Sequence, residues 1–227
     1  MRLFALVAST AFLLTACGES ADDPGGSADG GAATPDSPAA VELVATGFGQ
    51  QDGYVQGIAV VTSEDENAVG EFVTVSMNFL DSSGGILGTG DQVESMAWAG
   101  QELVLPVWFD LSSTPGAEVA EVDASVSISD YGMTRQVVDP IEPVASREIR
   151  ANQYGGTTAV FELTNPSGAD MNNARVGIVC YDQDEKINGG ASDYPSLIAA
   201  GQTVLVEADV TTSGVPERCV AHTSYEQ

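Results

Sequence analysis

An internal duplication constrains the fold of this chain more than any single residue does. Residues 72–110 and residues 173–209 share one pattern, in which an apolar run ends in aspartate, a short turn follows, and the chain resumes with isoleucine and then glycine. The two segments read MNFLDSSGGILG from residue 77 and IVCYDQDEKING from residue 178. A repeat of this kind indicates two copies of one structural unit.

Apolar and polar residues alternate within both copies, which predicts half-buried β-strands. Gly47, Gly49 and Gly53 are expected to separate two further strands, at residues 41–46 and 54–62. Pro106 predicts an edge strand or a bulge, because proline cannot donate a ladder hydrogen bond. No segment has a convincing helical period, so the predicted class is all-β with antiparallel sandwiches. The expected inward positions are Val73, Val75, Met77 and Phe79; Leu103, Leu105, Val107 and Phe109; Val122, Ala124, Val126 and Ile128; and Ala174, Val176, Ile178 and Cys180.

The beginning of the chain has the composition of a secretory signal, with Arg2 before an apolar run and the sequence LTAC at residues 14–17. This motif resembles the bacterial lipoprotein signal. The resemblance implies that residues 1–16 are removed and that Cys17 becomes the lipidated first residue, anchored in a membrane. The alternatives are a plain signal peptide that contains a cysteine and an uncleaved transmembrane helix, for which the apolar run is short.

Three further segments follow the signal. Residues 17–40 are acidic, rich in Gly, Ser, Ala, Asp and Pro, and without large apolar side chains after the cysteine, which predicts a disordered tether. Such a tether would span roughly 25 to 30 Å. Residues 41–143 and residues 144–227 each have the length of one immunoglobulin-like sandwich. The predicted architecture is therefore two tandem immunoglobulin-like antiparallel β-sandwiches after a signal peptide and a tether.

The repeated motif, in which Leu80-Asp81 or Tyr181-Asp182 ends a strand before a short turn and Ile, resembles the FxLYD domain. Members of that family are small immunoglobulin-like modules of bacterial and archaeal envelope proteins. Met77 and Ile178 stand at the position of the family's Phe. The resemblance implies an extracytoplasmic place in the cell envelope, and it implies neither catalytic residues nor a cofactor.

The chain has three cysteines, and the lipoprotein resemblance assigns Cys17 to lipid. Cys180 and Cys219 remain, and an exported protein favours a disulfide between them. A Cys-Cys-His metal site with His222 is the alternative, although Cys219 and His222 differ in strand phase. The disulfide also has an open difficulty, because aligning Tyr225 with Tyr131 would turn Cys219 outward.

Acidic residues outnumber basic ones by 33 to 7, for a formal net charge of −26. Residues 41–143 hold 17 acids and only Arg135, whereas residues 144–227 hold 11 acids and five bases. Nucleic acid is excluded as a partner, since binding its backbone requires clustered Lys and Arg. The acids favour solubility, and a calcium or cationic-ligand role is the alternative. The calcium candidates are weak: Asp182 with Asp184, and the acids at residues 64–66, do not fit an EF-hand loop and are also typical turn residues.

Catalytic patterns are absent from the sequence. His222 is the single histidine and has no serine or cysteine nucleophile motif around it, so we expect no enzyme and no cofactor. Trp98, Trp108 and Tyr54 are candidates for an apolar interaction patch, with packing as the alternative role. The predicted function is a membrane-anchored, non-catalytic interaction, spacer or assembly module that binds an envelope protein or another surface partner. The alternative is a small-ligand or calcium-binding accessory lipoprotein of a transport or hydrolase system.

Overall fold

The computed structural model describes residues 39–114, 116–129 and 140–224. These residues lie in one compact unit, Ser37–Gln227. Cys17 and nearly all of the predicted tether lie outside the described residues. Apart from a short 3-10 turn at Glu66–Ala68, the regular elements of the described part are strands, which confirms the all-β prediction. The strands are β1 (Glu42–Gln51), β2 (Tyr54–Thr62), β3 (Phe72–Leu80), β4 (Ile86–Ser95), β5 (Glu102–Asp110), β6 (Glu121–Ser129), β7 (Val144–Ala145), β8 (Glu148–Ala151), β9 (Thr157–Thr164), β10 (Met171–Asn172), β11 (Arg175–Tyr181), β12 (Ile187–Asp193), β13 (Leu197–Ile198), β14 (Thr203–Thr212) and β15 (Arg218–Ser224).

The strand order repeats between residues 41–143, here the first half, and residues 144–227, the second half. The first half contains the sheets β1-β2-β5 and β4-β3-β6. The second half contains the corresponding neighbours β8-β9-β14 and β12-β11-β15 within one seven-stranded sheet of order β7-β15-β11-β12-β14-β9-β8. Hydrogen bonds between β12 and β14 join the two groups there. The sequence duplication is thus a duplication of strand pairing.

The strand register of the β3–β4 hairpin matches that of the β11–β12 hairpin, including one register shift. Phe79 lies opposite Gly88 and a register shift follows before Ile86. Cys180 lies opposite Gly189, and the same shift follows before Ile187. The repeated turn therefore places the same bulge at the same point of both hairpins.

Among the described residues each half has an apolar core, and the predicted inward positions supply half of the buried residues of the first core and a smaller part of the second. Phe79, Met77 and Leu105 are among the fully buried side chains of the first half. In the second half Phe161 and Ile178 have the same role. The alternation on β3 is confirmed, and that on β6 is confirmed as a half-buried face whose apolar residues pack against the first core. Val176, Ile178 and Cys180 are buried as predicted, but β5 and β11 are not half-buried strands, because the other half of the protein covers their second face.

A third apolar cluster joins the two halves. Ile58, Val60 and Val104 of the first half pack against Val179 of the second. Strands β2, β5 and β11 are consequently buried along both faces over most of their length. Sheets covered on both sides have nearly continuous apolar runs, as β2 does. The halves therefore pack face to face.

Gly47 and Gly49 do not end a strand, and the expectation that they would was wrong. β1 runs through both residues. A Cβ on Gly47 would lie 2.5 Å from the Cβ of Ile187, and one on Gly49 would lie 2.3 Å from the carbonyl oxygen of Thr211. These glycines mark a close approach of the second half to β1, which is the other common reason for glycine within a strand.

Pro106 lies in β5 opposite Ile58. Within the described residues β5 pairs with β2 alone, so it is an edge strand of its sheet. Proline has no N–H to donate to a neighbouring strand, and an edge strand tolerates this because one of its sides has no neighbour.

Candidate functional site

The disulfide between Cys180 and Cys219 is present. The two residues face each other directly on β11 and β15, with a Cα–Cα distance of 4.0 Å, and both are fully buried. Cys219 therefore has the inward phase that the pairing required. His222 has the opposite phase and contacts the first half through Glu102. Because both sulfur atoms are in the disulfide, neither combines with His222 in a metal site.

Tyr54 and Trp108 form an exposed aromatic pair, as two of the three predicted interaction residues. Their ring centroids are 5.9 Å apart with an interplanar angle of 26°. Tyr54 begins β2 opposite Asp110, and Trp108 is two residues earlier on the neighbouring β5, so the rings meet diagonally across the ladder. Tyr54 remains 45% and Trp108 58% exposed. Large aromatic side chains with this exposure are candidates for a contact surface.

A cavity of about 260 Å³ adjoins this pair and is lined by residues of both halves. From the first half come Tyr54, Trp108 and Asp52. Tyr154 and Asp209 are among those from the second half, and Tyr154 is 84% exposed. We refer to this cavity as the aromatic cavity. Sequence reasoning found Tyr54 and Trp108 and missed the contribution of the second half.

Tight turns position the rim of the aromatic cavity. Asp52 and Gly53 both have positive φ, at 52° and 83°, in the two-residue turn that joins β1 to β2. An Asp-Gly pair favours this turn type. In the turn between β8 and β9, the side-chain oxygen of Asn152 accepts hydrogen bonds from the backbone N–H of Tyr154 at 3.0 Å and of Gly156 at 2.8 Å. The signal in the sequence was a tyrosine followed by Gly155-Gly156, which is a turn pattern that exposes the side chain.

Asp209 is an exposed residue of β14 that lines the aromatic cavity and is held by neighbours from β9 and the turn before it. Its Oδ1 accepts hydrogen bonds from the Thr158 hydroxyl at 2.6 Å and from the Asn152 amide at 3.3 Å. The lining contains Asp52 and Asp209 and, within the part of the chain that the structure describes, no Lys, Arg or His. The cavity is therefore negative in charge.

Trp98 lies apart from the Tyr54–Trp108 pair. It packs against the core of the second half and lines another cavity, of about 230 Å³, together with Glu102, Glu142 and His222. We call this the histidine cavity. The three predicted aromatic residues thus belong to two different sites.

The imidazole of His222 is largely buried between the halves. Its Nδ1 has no hydrogen-bond partner and is 3.8 Å from Oε2 of Glu102. Burial lowers the pKa of His222, and the charge of Glu102 and a hydrogen bond with the Glu102 backbone oppose this shift. The neutral form is favoured, since desolvation disfavours the charged one.

A largely buried ion pair also connects the halves. Arg175 at the start of β11 binds Glu94 of β4, and their side chains are only 11% and 15% exposed. The Ser224 hydroxyl donates a further hydrogen bond to Glu94 at 3.2 Å, and the Arg175 guanidinium lies 5.5 Å from the centre of the Tyr194 ring. Burial lowers the pKa of Arg175, but the pair with Glu94 keeps an opposite charge beside it.

Asp182 and Asp184, the weak calcium candidates, lie in the turn between β11 and β12. Oδ1 of Asp182 accepts the backbone N–H of Asp184 at 2.8 Å and of Lys186 at 3.0 Å. Asp81 makes the equivalent bonds with Ser83 and Gly85 in the first half. Turn formation accounts for the repeated aspartate. No group of three or more His, Cys, Asp or Glu suited to a metal ion occurs in the described ranges.

No protein-family model matches this chain, and no curated protein matches it. Among the described residues, no helix is long and apolar enough to span a membrane.

Proposed function

We propose that this protein is a non-catalytic interaction module of the cell envelope, with two immunoglobulin-like units, lipid-anchored at Cys17 and extracytoplasmic. Its contact site is the aromatic cavity. The tether of residues 17–40 would hold that site clear of the membrane surface, where a partner protein can reach it.

One observation carries this proposal: Tyr54, Trp108 and Tyr154 remain exposed around a cavity that both halves form. Exposed Tyr and Trp supply large contact area with few rotatable bonds and are enriched at the centres of protein interfaces. A catalytic role has less support, because within the described ranges the aromatic cavity is lined by no histidine and no cysteine.

Site-specific crosslinking in native membranes tests the proposal. A photoreactive phenylalanine analogue replaces Tyr154 in one variant and Ile86, an exposed apolar residue outside the cavity lining, in the control. We expect a discrete adduct from position 154 that is absent from position 86. Adding Trp108→Ala should remove the adduct. An adduct that survives Trp108→Ala, or equal adducts from both positions, would contradict the proposed contact site.

The alternative function, small-ligand binding, has one observation in its favour. The histidine cavity brings together a buried imidazole, two glutamates and Trp98. Equilibrium dialysis of the protein against a pool of small envelope solutes, with and without His222→Gln, tests it. Retention of a solute by the parent and not by the variant would favour this alternative.

A further inference from the structure

We propose that the aromatic cavity binds a cationic side chain, arginine or lysine, of a partner protein. This proposal rests on the proposed interaction function and assigns the chemistry of its ligand. It follows from three properties of the cavity: its aromatic faces, its uncompensated charge and its size.

The exposed aromatic rings of the cavity are suited to binding a cation. The rings of Tyr54 and Trp108 stack on each other and keep about half of their surface exposed, and Tyr154 is more exposed still. The face of an aromatic ring is the negative part of its quadrupole and attracts a cation within about 6 Å of the ring centre. Trp is the strongest such partner, and the planar guanidinium of arginine also stacks on aromatic rings.

Charge then distinguishes a cation from a neutral ligand. Asp52 and Asp209 line the cavity without a basic residue beside them in the described lining. Arg150, which lies two strands from Asp209 in the β8-β9-β14 register, binds Glu207 instead, at 2.6 Å. Both carboxylates are exposed. The hydroxyl groups of a neutral ligand such as a sugar would donate hydrogen bonds to them but leave their charge in place, whereas a guanidinium or ammonium group donates stronger, charge-assisted hydrogen bonds and neutralises that charge.

The size of the cavity favours a single side chain. Its volume of about 260 Å³ is close to the lower end of the roughly 300 to 1,000 Å³ of small-molecule sites, and it is open to solvent rather than enclosed. One long side chain presented by a protein surface fits the cavity, and the rest of the partner would then contact the exposed ring of Tyr154.

Matched peptides on the intact protein test the charge requirement. The probes are Gly-Gly-Arg-Gly-Gly and the same peptide with citrulline, which keeps the planar shape of arginine but is neutral. In a Trp98→Phe background, Trp108 is the single tryptophan and its fluorescence reports on the cavity. We expect saturable binding of the arginine peptide, at least about tenfold weaker binding of the citrulline peptide, and weakening by added salt.

Two variants separate charge from folding. Asp209→Asn removes a charge but also touches the bonds to Thr158 and Asn152. Asp52→Asn removes the other charge and keeps the turn, because asparagine also accepts positive φ. Each should weaken binding of the arginine peptide several-fold and leave binding of the citrulline peptide unchanged.

Three outcomes would overturn the cationic proposal: equal binding of both peptides, saturable binding of neither, or tighter binding of a neutral glucose oligosaccharide. The proposed function fails separately. If the adduct from position 154 still depends on Trp108 while the peptides bind equally, the interaction site stands and only its ligand chemistry is wrong. If the adduct does not depend on Trp108 and neither peptide binds saturably, both proposals are wrong.

Discussion

Phe79 and Cys180 occupy the same position in the two halves of the protein. Each is fully buried, lies opposite a glycine of the next strand, and precedes the same register shift. On the other side, Phe79 faces Val122 and Cys180 faces Cys219. The first half therefore fills this place with a large aromatic side chain, and the second half closes it with a disulfide.

This difference predicts two separate responses of stability. Removing the disulfide through Cys180→Ala with Cys219→Ala should lower the free energy of unfolding by about 4 kcal/mol, given the 39-residue separation. Phe79→Ala should lower it by about 3 to 5 kcal/mol through a cavity. Urea unfolding with and without reductant measures both. Reductant should destabilise the parent and Phe79→Ala but not the double cysteine variant; an equal response of all three would contradict the disulfide.

Arg175 and Glu94 should contribute strongly to holding the halves together. Glu94→Gln leaves a buried guanidinium without its counter-charge, so we expect a loss of about 3 to 5 kcal/mol in the free energy of unfolding. The exposed pair Arg147–Glu162, whose side chains are 65% and 52% accessible, is the matched control, and Glu162→Gln should cost less than about 1 kcal/mol. Chemical denaturation of both variants decides the comparison, and similar small losses would show that the buried pair is not a major link.

His222 should make stability fall as the pH is lowered. An unfolded histidine takes up a proton near pH 6.5, whereas burial keeps His222 neutral to lower pH. The unfolded chain then binds more protons, so its stability contribution is full above about pH 6.5 and decreases as the pH falls toward the folded pKa. Urea midpoints at about pH 7.5 and pH 5.5 test this. Because the chain has one histidine, His222→Gln should give nearly the same midpoint at both values; an unchanged slope in the variant would assign the effect to other groups.

Gly177 should tolerate no side chain, because the first half approaches its backbone. A Cβ there would lie 2.4 Å from the carbonyl oxygen of Val104. Gly177→Ala is expected to destabilise the protein by about 1 to 3 kcal/mol through overpacking. A Cβ on Gly168 would meet no atom within 4 Å apart from its chain neighbours, so Gly168→Ala is the control and should be nearly neutral. Thermal unfolding compares the two variants. A neutral Gly177→Ala would show that the backbone near Val104 can move away from residue 177 without loss of stability.

Cys17 should anchor the protein in a membrane. Cys17→Ala should abolish lipid attachment and either release the protein or block its processing. Fractionation of cells followed by intact-mass measurement of the parent and the variant is the test. Equal membrane retention and equal mass of both would contradict the lipid anchor.

The sequence alone determined the all-β class and the inward residues of the central strand in each half. The period of two along residues 73–79 and 174–180 is local, and it places alternate side chains on one face wherever the strand lies. The repeated Asp81 and Asp182 turns are local too, since a carboxylate that accepts nearby backbone N–H groups requires only its own loop. The disulfide partners followed from counting the cysteines.

Only the tertiary structure decided how the two halves meet. The sequence predicts a strand end at Gly47, because a glycine can mark either a turn or a close approach of another backbone. The close contact with Ile187 shows that the second applies, and Ile187 is distant in sequence. The aromatic cavity has the same origin. Tyr54 and Trp108 were recognisable as candidates, but Tyr154 and Asp209 reach them through packing of the second half against the first, and no local pattern records that contact. Packing between residues distant in sequence decides between the two roles of a strand glycine, which local sequence cannot distinguish. The same packing of the second half against the first forms the candidate site.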